Sequence, residues 1–136
     1  MPLILSLPFP GGNHKSRGAA ESAGRARNVG SRCVYGPDGR YYLYYCLDFL
    51  PQIGVAVADT PAGPFAFLGL VRHEDGTPLG DRDGDLIQFD PGIFIDEDGS
   101  IYLYSGNAPA QVGYGSGPQG STVMTLKEDM LTIKTE

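Results

Sequence analysis

The 136-residue chain contains no tryptophan, two cysteines, two histidines, and ten lysines and arginines against sixteen aspartates and glutamates. Each shortage excludes something. Phosphate backbones and anionic membranes are bound by clustered cations, so a net charge of −6 argues for no nucleic-acid and no membrane partner and leaves a neutral one. Cys33 and Cys46 are too few for a disulfide framework and have no His or Cys neighbours at zinc spacing, so both are expected as plain buried thiols. His14 and His73 have no serine or cysteine motif beside them; a nucleophilic triad lacks support, and both read as solvated loop residues. No stretch is long and apolar enough to span a bilayer. The opening "MPLILSLPFP" lacks a basic start and is broken by Pro2, Pro8 and Pro10, so a secretory signal is not supported and a cytoplasmic location is expected.

What is abundant is punctuation. Twenty glycines and eleven prolines favour many short strands, and the length suits one modest all-β domain. The segment "VYGPDGRYYLYY" (34–45) aligns with "FIDEDGSIYLYS" (94–105), placing Asp38 on Asp98, Gly39 on Gly99 and Tyr42-Leu43-Tyr44 on Tyr102-Leu103-Tyr104, sixty residues apart. Each copy reads as an apolar strand, a D-G turn and an aromatic-rich second strand, which is the signature of a hairpin. Third strands are expected at 53–59 and 121–127, and fourth strands at 64–71 and 130–135. Four antiparallel strands per repeat are the make-up of a propeller blade, and a β-sandwich has no need of sixty-residue self-similarity. The division is therefore a blade at 33–71, a linker at 72–85 and a blade at 86–136. The glycine-rich loop 107–120 carries Asn107, Gln111 and Tyr114 and reads equally as a rim or a subsite.

Asp90 is the residue that chemistry would use. It precedes Pro91, which disfavours the helical region and holds it extended at the start of "GIFI". In a propeller the first strand of each blade lines the central channel, so a polar group at its start can reach one mouth. A strand cap is an equally good reading from the residues alone. Asp96, Glu97 and Asp98 belong to the turn at the far end. "DEDG" resembles the start of a calcium loop, but its glycine comes early, no closing glutamate follows, and a hairpin turn fits better. Tyr41, Tyr42, Tyr44 and Tyr45 could stack on sugars; alternation along a strand favours core packing.

"FDPGIFIDEDGSIYLYSG", preceded by "YGPDGRYYLYYC" and "IGVAVADTPAGPF", strongly resembles family 43 glycoside hydrolases, the β-xylosidase and α-L-arabinofuranosidase group, over residues 33–136. The resemblance implies a five-bladed propeller that inverts the anomeric centre of xylo- or arabino-oligosaccharides with three carboxylates. One aspartate activates water, a glutamate in a later blade protonates the leaving oxygen, and a third carboxylate tunes the acid's pKa and orientation. The third falls on Asp90-Pro91. Asp48 and Phe49, just after a strand, are candidates for holding the sugar. The base and the acid have no match here, and five such blades need roughly 300 residues. The isolated chain is therefore expected to be inactive, and either marginally stable or self-associating through an incomplete propeller. No cofactor is expected; a calcium ion sits in the channel of some relatives, an expectation for the complete fold only. The rival function is a non-catalytic carbohydrate-binding propeller, which would bind sugar without hydrolysing it.

Residues 1–32 do not fit this pattern. The family has a Trp-Ala-Pro-Asp run before "YGPDG", where this chain reads "NVGSRC". Asn-Val-Gly-Ser-Arg-Cys can be encoded AAC GTG GGC TCC AGA TGT, and a one-base shift of that string reads Trp-Ala-Pro-Asp. Residues 11–32 are also basic, poor in strand formers and aperiodic. The segment is expected to be disordered or out of frame, and to carry none of the function.

Overall fold

The computed structural model describes residues 32–47, 50–106 and 121–135. Four strands, β1 (Cys33–Tyr35), β2 (Tyr41–Cys46), β3 (Ile53–Ala58) and β4 (Ala66–Leu70), form one antiparallel sheet in chain order. A second antiparallel sheet follows: β5 (Gly92–Ile95), β6 (Ile101–Gly106) and β7 (Ser121–Leu126). All but β4 are rich in aromatic or β-branched residues, which fit a pleated surface.

The sequence repeat is a repeat of hydrogen bonds. In the first hairpin the Gly36 N–H donates to Arg40 O at 2.7 Å and the Gly39 N–H to Gly36 O at 3.1 Å; in the second, Asp96 donates to Ser100 O at 2.9 Å and Gly99 to Asp96 O at 3.0 Å. Asp38 and Asp98 each accept the N–H two residues on, from Arg40 and Ser100, at 3.1 and 2.8 Å. Gly39 and Gly99 have φ of +80° and +87°, the left-handed conformation that glycine takes without steric cost. Strand register repeats as well, Cys33 facing Leu43 and Val34 facing Tyr42 in one copy, Ile93 facing Leu103 and Phe94 facing Tyr102 in the other.

The fourth strand expected at 130–135 does not form; only isolated bridges, Leu126 to Ile133 and Arg72 to Thr132, are found there. The cause is a side chain that takes the amides a strand would need. Asp129 Oδ1 accepts the N–H of Leu131 at 3.0 Å and of Thr132 at 2.8 Å, and Met130 turns the chain with φ +65°. The segment then crosses to the first sheet, where the Arg72 N–H donates to Leu131 O at 2.9 Å and the Ile133 N–H to Arg72 O at 2.8 Å. It fastens one sheet to the other.

The core lies between the sheets. Tyr42, Tyr44, Ile53 and Val55 of the first sheet form one buried cluster with Ile93, Leu103 and Leu126 of the second and with Met130 and Leu131. Burying each large aliphatic side chain contributes about 1.5–3 kcal/mol. Alternation divides the tyrosines: Tyr42 and Tyr44 are buried, while Tyr41 and Tyr45 are half-buried. The Tyr45 ring lies over Gly54, where a Cβ would come within 2.6 Å of it. Tyr44 has no solvent exposure, and its hydroxyl donates to Met130 O at 2.7 Å; burial pushes its pKa well above the usual phenol value. Tyr44→Phe would leave the Met130 carbonyl short of a donor in the interior, so thermal denaturation should show a loss of about 1–2 kcal/mol. Tyr104→Phe, with Tyr104 39% exposed, should change little.

Candidate functional site

Asp90 lies two residues ahead of β5, with Pro91 between, where the chain crosses from the linker into the second sheet. The residue before it is fixed by β6. The Phe89 N–H donates to Ser105 Oγ at 3.1 Å, the Ser105 hydroxyl donates back to Phe89 O at 3.2 Å, and the Gly106 N–H donates to the same oxygen at 2.8 Å. One residue earlier, the Gln88 N–H donates to Pro51 O at 3.1 Å. The Asp90 N–H turns the other way, to Cys46 Sγ at the end of β2, at 3.0 Å. Pro91 behind it is fully buried.

These ties overturn the expectation of an extended Asp90. Its φ is +48°, in the left-handed region that non-glycine residues avoid and that aspartate tolerates better than most. Proline at the next position biases a residue towards the extended region, but here the hydrogen bonds on both sides outweigh that bias. A strained backbone held by its surroundings is a recurrent property of functional positions.

The Asp90 side chain is 61% exposed, so its carboxylate is reachable from solvent. It pairs with the Arg32 guanidinium, which is exposed to the same extent; such a surface pair is worth about 0–1 kcal/mol. The carboxylates of the "DEDG" turn lie at the opposite end of the four-residue strand β5, and Asp96 and Asp98 are used in closing the hairpin. Asp48 and Phe49 fall outside the described residues, as do loop 107–120 and residues 1–31.

His73 is not the solvated loop residue that its surroundings in the sequence suggest. Its side chain is 15% exposed and its Nε2 lies 2.8 Å from Asp85 Oδ2, while Asp85 is 11% exposed. The same carboxylate oxygen accepts the N–H groups of Gly80 at 2.8 Å and Arg82 at 3.2 Å, so one aspartate gathers the linker around itself. Cys33 and Cys46 are half-buried, and burial raises the pKa of the Cys33 thiol. Among the described residues no three His, Cys, Asp or Glu side chains converge into a group that could hold a metal ion.

Sequence reasoning missed Cys46 and Ser105 as the supports of the Asp90 segment. A signal existed for Ser105: it is where the repeat breaks, a hydroxyl standing at the position of Tyr45. Nothing comparable marks Cys46.

The linker yields a pH prediction. Burial is the largest influence on Asp85 and opposes its charge, but hydrogen bonds from His73, Gly80 and Arg82 together hold its carboxyl below the ordinary range. A lowered folded pKa stabilises the fold above the unfolded value, and the contribution is lost as pH falls through the folded one. Asp85→Asn should therefore lower Tm at pH 7, and the gap to the parent should close as the pH is taken below about 4. Paired thermal melts across that range provide the check.

The profile of the glycosyl hydrolases family 43 matches residues 22–136, beginning inside the segment that departs from the pattern. A xylosidase/arabinosidase of Thermoclostridium stercorarium is 47% identical over 113 residues, covering 79% of this chain and 23% of the relative. The crystal structure of an endo-1,5-alpha-L-arabinanase from Thermotoga petrophila RKU-1 aligns with a TM-score of 0.51 at 28% identity, over 76% of this chain and 25% of that one. A family 43 arabinoxylan arabinofuranohydrolase from Bacillus subtilis, crystallised with cellotetraose, aligns with a TM-score of 0.51 at 29% identity, over 71% of this chain and 20% of that one. The fold shared with these structures is all-β and of the propeller type. The chain spans about a quarter of the length of the curated relatives it matches.

Proposed function

We propose that this chain, which belongs to glycosyl hydrolase family 43, supplies two adjoining blades and one active-site carboxylate, Asp90, of an inverting glycosidase acting on xylo- or arabino-oligosaccharides. The observation that carries the reading is the setting of Asp90: an exposed carboxylate two residues ahead of the first strand of its sheet, on a backbone held at φ +48° from both sides. The names of the relatives support the substrate class.

In an inverting reaction a base and an acid stand far enough apart to admit water beside the sugar. Asp90 performs neither step. Its negative charge near the acid favours the acid's protonated form, as one like charge does for another, and its oxygens orient that group. Arg32 competes for the same oxygens, but as an exposed partner it is readily exchanged for water. The 136-residue chain by itself should not hydrolyse aryl xylosides or arabinofuranosides, because one carboxylate cannot both activate water and protonate the leaving group. Turnover that copurifies with this chain through successive columns would count against the assignment.

The sharper test is Asp90→Asn in the complete enzyme carrying these blades. The amide is nearly isosteric, so the fold should persist. Loss of the charge should lower the acid's pKa, move the alkaline limb of the pH-rate profile to lower pH, and cut kcat by roughly 100-fold. Substrates with good leaving groups should suffer less. An unmoved profile with near-parent kcat would reduce Asp90 to a strand cap, and sugar binding without hydrolysis in the unsubstituted protein would favour a carbohydrate-binding propeller.

A further inference from the structure

We propose that Cys46 is a positioning residue for Asp90, its sulfur holding the peptide group that aims the carboxylate; this rests on the reading of Asp90 as the acid-tuning group. The Phe89 carbonyl and the Asp90 N–H belong to one planar peptide unit. Its oxygen end receives the Gly106 N–H and the Ser105 hydroxyl, at 2.8 and 3.2 Å, both from the second sheet. Its nitrogen end donates to Cys46 Sγ at 3.0 Å, from the first sheet. The plane is clamped at both ends by different sheets.

That plane sets the φ of Asp90, and with it the direction in which Cβ and the carboxylate leave the backbone. At φ +48° the residue sits in a conformation whose competitor, the extended region, is favoured by the following proline. Rotating the 89–90 peptide is the route between them, and it requires the N–H to leave its acceptor. Proline has no N–H of its own, so with Pro91 next in the chain the Asp90 N–H is the only backbone donor across these two positions. Cys46 lies on β2, whose register with β3 pairs it to Ile53, a fully buried residue, so the sulfur is presented from a rigid strand. A thiol sulfur is a weak acceptor. Its part is directional: it selects one of two peptide orientations at a position where misplacement by an ångström costs a large factor in rate.

The test compares Cys46→Ala, Cys46→Ser and Asp90→Asn in the complete enzyme carrying these blades, with Cys46→Val, which keeps bulk without an acceptor, replacing the alanine variant should that melt early. Removal of the acceptor is expected to lower kcat roughly 10-fold on aryl glycosides with poor leaving groups and to leave KM unchanged. The alkaline limb should move in the same direction as in Asp90→Asn. Cys46→Ser, which restores an acceptor, should recover most of the kcat and the profile. Full activity in Cys46→Ala beside a crippled Asp90→Asn would overturn the positioning role while leaving the function of Asp90 intact. A serine variant as impaired as the alanine variant would also overturn it, by showing that bulk and not hydrogen bonding matters. An Asp90→Asn variant with full activity would overturn the functional reading and the positioning role with it. Amide exchange then addresses the contact alone: it should quicken at Asp90 in Cys46→Ala and not in Cys46→Ser, and equal rates in both would show that the contact does not hold the peptide.

Discussion

Everything in this structure depends on two small sheets sharing one apolar interior. Neither sheet could bury its own hydrophobic face. The first offers Tyr42, Tyr44, Ile53 and Val55, the second Ile93, Leu103 and Leu126, and each group is dry because of the other. The Tyr44 hydroxyl and the crossing segment at 129–133 fasten the pair by polar contacts that add direction to an otherwise non-directional attraction. Asp90 lies on the line where the sheets meet, so its geometry is a property of their docking and not of either sheet alone.

This arrangement explains what the sequence could and could not reveal. The hairpins were legible because their determinants are local: a D-G turn needs an aspartate that accepts its neighbour's N–H and a glycine with positive φ, and both copies have them within five residues. The alternation that buries Tyr42 and Tyr44 is equally local. The missing fourth strand was not legible, because "MLTIKT" has strand-forming residues and only the side chain of Asp129, just outside it, diverts its amides. The burial of His73 is not legible for a related reason. Its partner Asp85 lies twelve residues away across a loop without periodicity, and no pattern connects them.

Asp90 shows both sides of this. Its candidacy rests on its place before a strand and on the family motif, and its exposed position two residues ahead of β5 agrees with the first. Its backbone conformation departs from the local rule for a residue before proline, because the deciding contacts come from Cys46 and Ser105, 44 and 15 residues away in the chain. Local rules fail where long-range contacts converge, and such places are where strain can be kept for use.

A second break in the repeat bears on how the first turn is packed. Position 36 is glycine where the second copy has Asp96, and a Cβ at 36 would come within 2.5 Å of the Tyr42 ring. The second copy seats Asp96 beside Tyr102, the counterpart of Tyr42, so the turn itself does not demand glycine; the placement of the Tyr42 ring does. A side chain at 36 would push that ring from its place in the shared core, and the first hairpin is thus tied to the interior by its turn as well as by its strands.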